Sequence, residues 1–218
     1  TSIQIVGAAL AWNWVVEEDW ILEVAQIEAT GSLNKDRALR QWMTMLGGLY
    51  APVGDKVNPT PYLDHLPERD LFLDDGRVLT MIDPATAIKE VGKRFAELYG
   101  TRVRLVGHEH WFNPENAPTA SEAKALDAFA RGAKEFSEVI EGKDGKPFLQ
   151  VMRPMHVVSG CIRCHSPWGV KEGDLRGATG VAIPLEHYRA LAEEEFAVMV
   201  GTHGGIWLLG IGLIGTGF

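Results

Sequence analysis

Both cysteines of the 218-residue chain fall within one pentapeptide, Cys161-Ile162-Arg163-Cys164-His165. Cys-x-x-Cys-His is the attachment motif of a c-type haem. Two intervening residues hold both thiols on one helical turn, which suits addition across adjacent porphyrin vinyl groups. The next residue then offers an imidazole to the iron. A structural zinc site calls for four Cys or His ligands, and neither a second Cys pair nor a His-x3-5-His pair is present. A thioredoxin-like redox pair or a disulfide does not demand the following His. The motif therefore predicts one covalently bound haem c, with Cys161 and Cys164 in the thioether links and His165 as proximal ligand.

The ends of the chain constrain it next. Residues 196–218 contain no Asp, Glu, Lys or Arg, and 23 residues of helix extend about 35 Å, enough to cross a bilayer. Seven glycines in this stretch suit lipid better than water, and Gly201-x-x-x-Gly205 offers a close-approach face to another helix. Residues 1–16 are also uncharged and read as a first membrane anchor or its outer part, with Trp12, Trp14 and Trp20 in an interfacial belt. Acidic runs, Glu17-Glu18-Asp19 and Glu193-Glu194-Glu195, adjoin both segments. The scarcity of Lys and Arg at these junctions predicts an extracytoplasmic middle, and haem c attachment outside the cytoplasm agrees. The expected location is a bacterial inner membrane with the haem domain on the periplasmic side. A net charge of −8 argues against nucleic acid as a partner.

Between the ends, periodicity predicts a long helix over 17–48, broken near Gly31-Ser32 and stopped by Gly47-Gly48. Strands are expected at 50–53, 78–82, 102–106, 137–140, 148–155 and 180–183. Asp83-Pro84 starts a helix running to about Tyr99, and Thr119 or Ser121 caps another from 121 to 134. Asp144-Gly145 marks a hairpin, and the Pro-, Asn- and Asp-rich stretch through Gly76 reads as loop. The class is α+β with an antiparallel sheet. The expected division is anchor 1–16, long helix 17–48, haem domain 49–187, and C-terminal helix 188–218 with its membrane segment at 196–218.

The series GGLYAPV, NPTPYLDHLPERD, RVLTMIDPATAIKE, NPENAPTASEAKALDAFARG, FLQVMRPM, GCIRCH and VKEGDLRGATGVAIPLEHY resembles a known family. This is the c-type haem-binding, PAS-like extracytoplasmic domain of sensor histidine kinases, chemoreceptor-like proteins and short stand-alone membrane proteins. The resemblance covers residues 10–215. It implies a PAS-like sheet holding haem c, signalling through flanking helices, and attachment through Cys161, Cys164 and His165. Two positions depart from it. Many relatives carry a His directly before the glycine pair, where this chain has Leu46, and many carry Tyr-Met where it has Thr86-Ala87.

The sixth iron position is open to several candidates: Met45, Met43, His108, His110, or a site left free for CO, NO or O2. Arg176 and Lys171 are candidate partners for the haem propionates. Trp168 and Trp111 could pack on the porphyrin, His65 reads as a solvated loop residue, and His203 lies inside the C-terminal anchor. The chain carries no further catalytic constellation, and an enzyme is not expected. The leading expectation is a redox or gas sensor acting through its flanking helices. The alternative is a stand-alone electron-transfer cytochrome or accessory subunit of a membrane redox complex. Membrane lipid is an expected partner, as is a second copy in a homodimer or a signalling complex.

Overall fold

The computed structural model describes residues 2–107 and 113–216. Helix α1 runs Ser2–Leu46 without interruption, so the break expected at Gly31-Ser32 does not occur. One glycine costs a helix only about 1 kcal/mol relative to alanine, and packing on either side outweighs that. Ile21, Ala25, Ala29 and Leu33 recur every fourth residue and are all buried in one cluster with Leu149, Val151, Val181 and Ile183. Gly31 lies on the opposite, exposed face. The helix stops where Gly47 and Gly48 take φ of 77° and 108°, a region closed to most other residues. Their N–H groups donate to the carbonyls of Thr44 and Met43 at 3.1 and 3.0 Å.

Two antiparallel sheets follow where one was expected. The first has three strands, β1 (Leu49–Pro52), β2 (Asp70–Phe72) and β3 (Val78–Ile82), with β3 in the centre. Strand β2 falls in the stretch expected to be loop. Three residues are too few to display alternation, and only the pairing of Asp70, Leu71 and Phe72 with Thr80, Leu79 and Val78 defines it. Helix α2 (Pro84–Tyr99) begins and ends as its sequence signals indicate. Asp83 accepts from the N–H groups of Ala85 and Thr86, Pro84 takes the first turn, and Gly100 closes it at φ 76°.

The second sheet is ordered β4-β7-β6-β5, from β4 (Arg102–Gly107), β5 (Phe136–Glu141), β6 (Pro147–His156) and β7 (Leu175–Pro184). Strand β7 is more than twice its expected length, because glycines at 177 and 180 conceal its pattern. A Cβ at Gly177 would lie 2.0 Å from the Val106 carbonyl oxygen, so close strand pairing requires glycine there. Period-two alternation sends Val151 of β6 towards α1 and its neighbour Met152 towards helix α3 (Ala120–Ala130). Helix α3 starts in a capping box between Thr119 and Glu122. Short helix α4 (Ser159–His165) leads from β6 to β7, and α5 (Glu186–Gly215) ends the described chain. Among the described residues, one helical stretch, Glu186–Leu213, is long and apolar enough to cross a bilayer, and its most apolar part has no residue buried within the protein.

Candidate cofactor site

The Cys-x-x-Cys-His pentapeptide occupies α4, wedged between the end of α1 and the three-stranded sheet. Gly160 makes the approach to α1 possible, since a Cβ there would sit 2.4 Å from the Thr44 methyl. Arg163 fastens the helix in place. Its Nη1 donates to the Gly47 carbonyl at 3.0 Å, and its Nε and Nη2 donate to Glu68 Oε1 at 3.0 and 2.6 Å. These bonds hold the Glu68 carboxyl below its ordinary pKa and raise that of Arg163. Cys164, like Tyr50, packs on the cluster of Leu63, Leu66 and Met81. Burial, reinforced by the negative charge of Asp83, pushes its thiol pKa up.

A cleft of about 270 Å³ opens beside Cys164. Its walls are Thr44 to Gly48 at the end of α1, Met81, Asp83 and Pro84 at the β3–α2 junction, and Gly160 and Arg163 of α4. The glycine pair lets Arg163 and Met81 pack closely on the end of α1. A Cβ at Gly47 would meet Arg163 Nη1 at 2.6 Å, and one at Gly48 would meet Met81 Cγ at 3.0 Å.

His165 is half-buried, with its ring centroid 5.6 Å from Trp168, which in turn stands edge-on to His65 at 5.5 Å. Burial lowers the pKa of His165, the nearby Arg176 lowers it further, and Asp83 opposes them. The net effect favours neutral imidazole, the form that binds a metal.

The two sulfurs of the α1 methionines separate. Met45 lines the cleft and is 85% exposed, whereas Met43 is 1% exposed and is not among the cleft-lining residues. A two-residue offset turns side chains about 200° apart around a helix, and only tertiary packing decides which faces the cleft. Arg176 lies at the start of β7, half-buried and near His165. Lys171 is exposed in the turn before it, its backbone N–H donating to Asp174 Oδ2 at 2.7 Å. His108, His110 and Trp111 lie outside the described residues. His203 sits on α5, its Nδ1 2.9 Å from the Met199 carbonyl.

Sequence reasoning missed three cleft residues. Asp83 was legible as a helix cap, and Arg163 only as a spacer in the motif. Met81, 2% exposed in the central strand, carries no local signal at all. His65 belongs to the ring cluster beside the motif, although its polar loop suggested simple solvation.

The donor set fits a covalently held haem. Two thiols, not joined in a disulfide, share one helix with an imidazole of lowered pKa, and three glycines in the wall of the adjoining cleft let Arg163, Met81 and Thr44 approach the backbone closely. Cys161 and Cys164 would hold the porphyrin edge and His165 the iron.

No curated protein matches the chain. A solved structure, "Crystal structure of the cyanobacterial heme-protein Tll0287", is similar at 19% sequence identity with a TM-score of 0.47, covering 74% of this chain and 94% of that one. The family model Tll0287-like matches residues 22–184, which span the domain from the core-packed part of α1 to the end of β7, and the chain belongs to that family.

Proposed function

We propose that this protein is a membrane-tethered c-type haem protein with its domain on the periplasmic side, acting as a redox or small-gas sensor through its flanking helices. Cys161 and Cys164 form the thioether links and His165 is the proximal ligand. Arg176 and Lys171 are the cationic partners for the propionates, and Met45, on the cleft rim, is the candidate for the sixth position. Membership of the Tll0287-like family is compatible with this reading.

The observation that carries it is the seating of α4 against the last turn of α1. The bound group supplies a one-electron couple and an iron whose sixth position takes either a protein ligand or a diatomic gas. Everything else belongs to the chain. Arg163 ties α4 to the Gly47 carbonyl at the end of α1, so a shift of α4 bears directly on that helix. Met45 and Thr44 sit on the same last turn and line the cleft. A ligand that binds one arrangement of this junction more tightly shifts the population of the helix position. The apolar stretch of α5 and the uncharged residues 1–16 supply the tether.

The test is a haem-stained denaturing gel followed by absorption spectra of the oxidised, reduced and CO-treated reduced protein. Covalent haem is expected in the wild type and is lost when Cys161 and Cys164 are both replaced by alanine. Rapid formation of a CO adduct assigns gas sensing and rules out firm Met45 ligation. A low-spin spectrum indifferent to CO assigns redox sensing or electron transfer, and Met45→Ala then opens the site. A wild-type chain that carries no covalent haem, expressed with a working attachment system, refutes the proposal.

A further inference from the structure

We infer that the Asp83 carboxylate, fixed in the wall of the cleft beside Cys164, is the anionic group that sets the reduction potential of the haem this chain would hold. The inference rests on the haem c reading above and adds to it the residue that tunes the couple.

Geometry makes Asp83 suited to the role. It lines the cleft together with Cys164 and Met81, at the junction of the central strand β3 with α2. Its oxygens accept from the Ala85 N–H at 2.9 Å, the Thr86 N–H at 3.1 Å and the Thr86 hydroxyl at 2.5 Å. Three donors prevent the group from turning away, so its oxygens stay fixed in the cleft wall. Its field reaches both Cys164 and His165.

The neighbouring charges do not duplicate it. Glu68 is matched by Arg163 at 2.6 Å, so that pair largely cancels at a distance. Arg176, near His165, is positive and acts in the opposite sense. Among the described residues, Asp83 is therefore the negative charge lining the cleft that Arg163 does not already neutralise. A fixed negative charge favours ferric over ferrous haem, because the oxidised centre carries one more positive charge. In a partly desolvated cleft that preference is far less screened than at the surface.

Asp83→Asn and Asp83→Ser remove the charge while keeping side chains that cap helices well. The assay is a spectroelectrochemical titration of the full-length protein, after a pyridine haemochrome spectrum has verified covalent haem in each variant. At a fixed ambient potential the ferrous-to-ferric ratio should rise roughly tenfold in Asp83→Asn, equivalent to about 59 mV for a one-electron couple. Asp83→Glu, which keeps the charge, should stay close to wild type. Glu97→Gln, at the far end of α2, should not move the curve.

A wild-type titration curve in the neutral variants overturns the inference. Loss of haem from both neutral variants with retention in Asp83→Glu also overturns it, since the charge would then serve assembly instead. Absence of the haemochrome band from the wild type is a separate result, which sinks the underlying haem c reading before any titration begins.

Discussion

Replacing Gly160 with alanine places a methyl group 2.4 Å from the Thr44 Cγ2 atom, well inside any real carbon–carbon contact. Thr44 cannot easily turn aside, because its hydroxyl donates to the Arg40 carbonyl at 2.8 Å. Either α4 backs away from α1 or the threonine gives up that bond. Overpacking of this kind costs about 1–3 kcal/mol, whereas the helix-propensity gain of alanine over glycine returns about 1 kcal/mol at most. The net expectation is destabilisation, accompanied by displacement of the segment that carries both cysteines. Thr44→Ser supplies the internal control, since it removes the offending methyl and keeps the hydroxyl. Urea unfolding of the detergent-solubilised protein, followed by circular dichroism, gives the stabilities, and an unchanged slope shows that midpoints can be compared. Gly160→Ala should lower the midpoint, and in the Thr44→Ser background the same change should be neutral or stabilising. If Gly160→Ala unfolds like wild type, or if its cost is unchanged in the serine background, the α1–α4 contact is not as described.

Glu122 predicts a pH dependence. Burial pulls its pKa up, but the hydrogen bonds from Arg104 and the Thr119 N–H outweigh this, and the net value lies below the ordinary 4.5. A depressed folded pKa contributes stability that is present above the unfolded value and lost as pH falls through the folded one. Wild type should therefore lose stability more steeply than Glu122→Gln below about pH 4.5, measured as urea midpoints across an acid series. Ending the chain after Glu195 removes most of the apolar part of α5, and the product should be released from membranes by carbonate more readily than the full chain, with release completed only when residues 1–16 are removed as well. Retention of that truncated chain in carbonate-washed membranes would assign the tether to the N-terminal residues alone.

Local chemistry made much of this fold readable in advance. Asp83-Pro84 starts α2 as expected because capping is decided by residues within a turn of each other. Asp144-Gly145 likewise announces the β5–β6 hairpin. What escaped was whatever distant partners decide. The continuity of α1 through Gly31 depends on a core built from β6 and β7. The three residues of β2 become a strand only through β3, and β7 is hidden by glycines whose reason is the neighbouring strand. The cleft divides the same way. Cys161, Cys164 and His165 declare themselves by spacing, but Met81 and Asp83 reach it through the packing of the three-stranded sheet. The choice between Met43 and Met45 turns on which face of α1 the core consumes.

The unbroken course of α1 has a mechanical consequence. Residues 21–33 are clamped against the four-stranded sheet, while the last turns reach the cleft and the first residues run on beyond the domain. Thirty residues from Glu17 to Leu46 make a rod of about 45 Å. A rod clamped over residues 21–33 rocks in preference to sliding, because sliding would drag every clamped side chain out of its pocket. A push on the last turn therefore arrives at the other end with its direction reversed. Over that length a tilt of about 1° displaces one end relative to the other by roughly 0.8 Å. Sub-ångström rearrangement at the cleft is thus enough to set the lean of the helix where it leaves the domain.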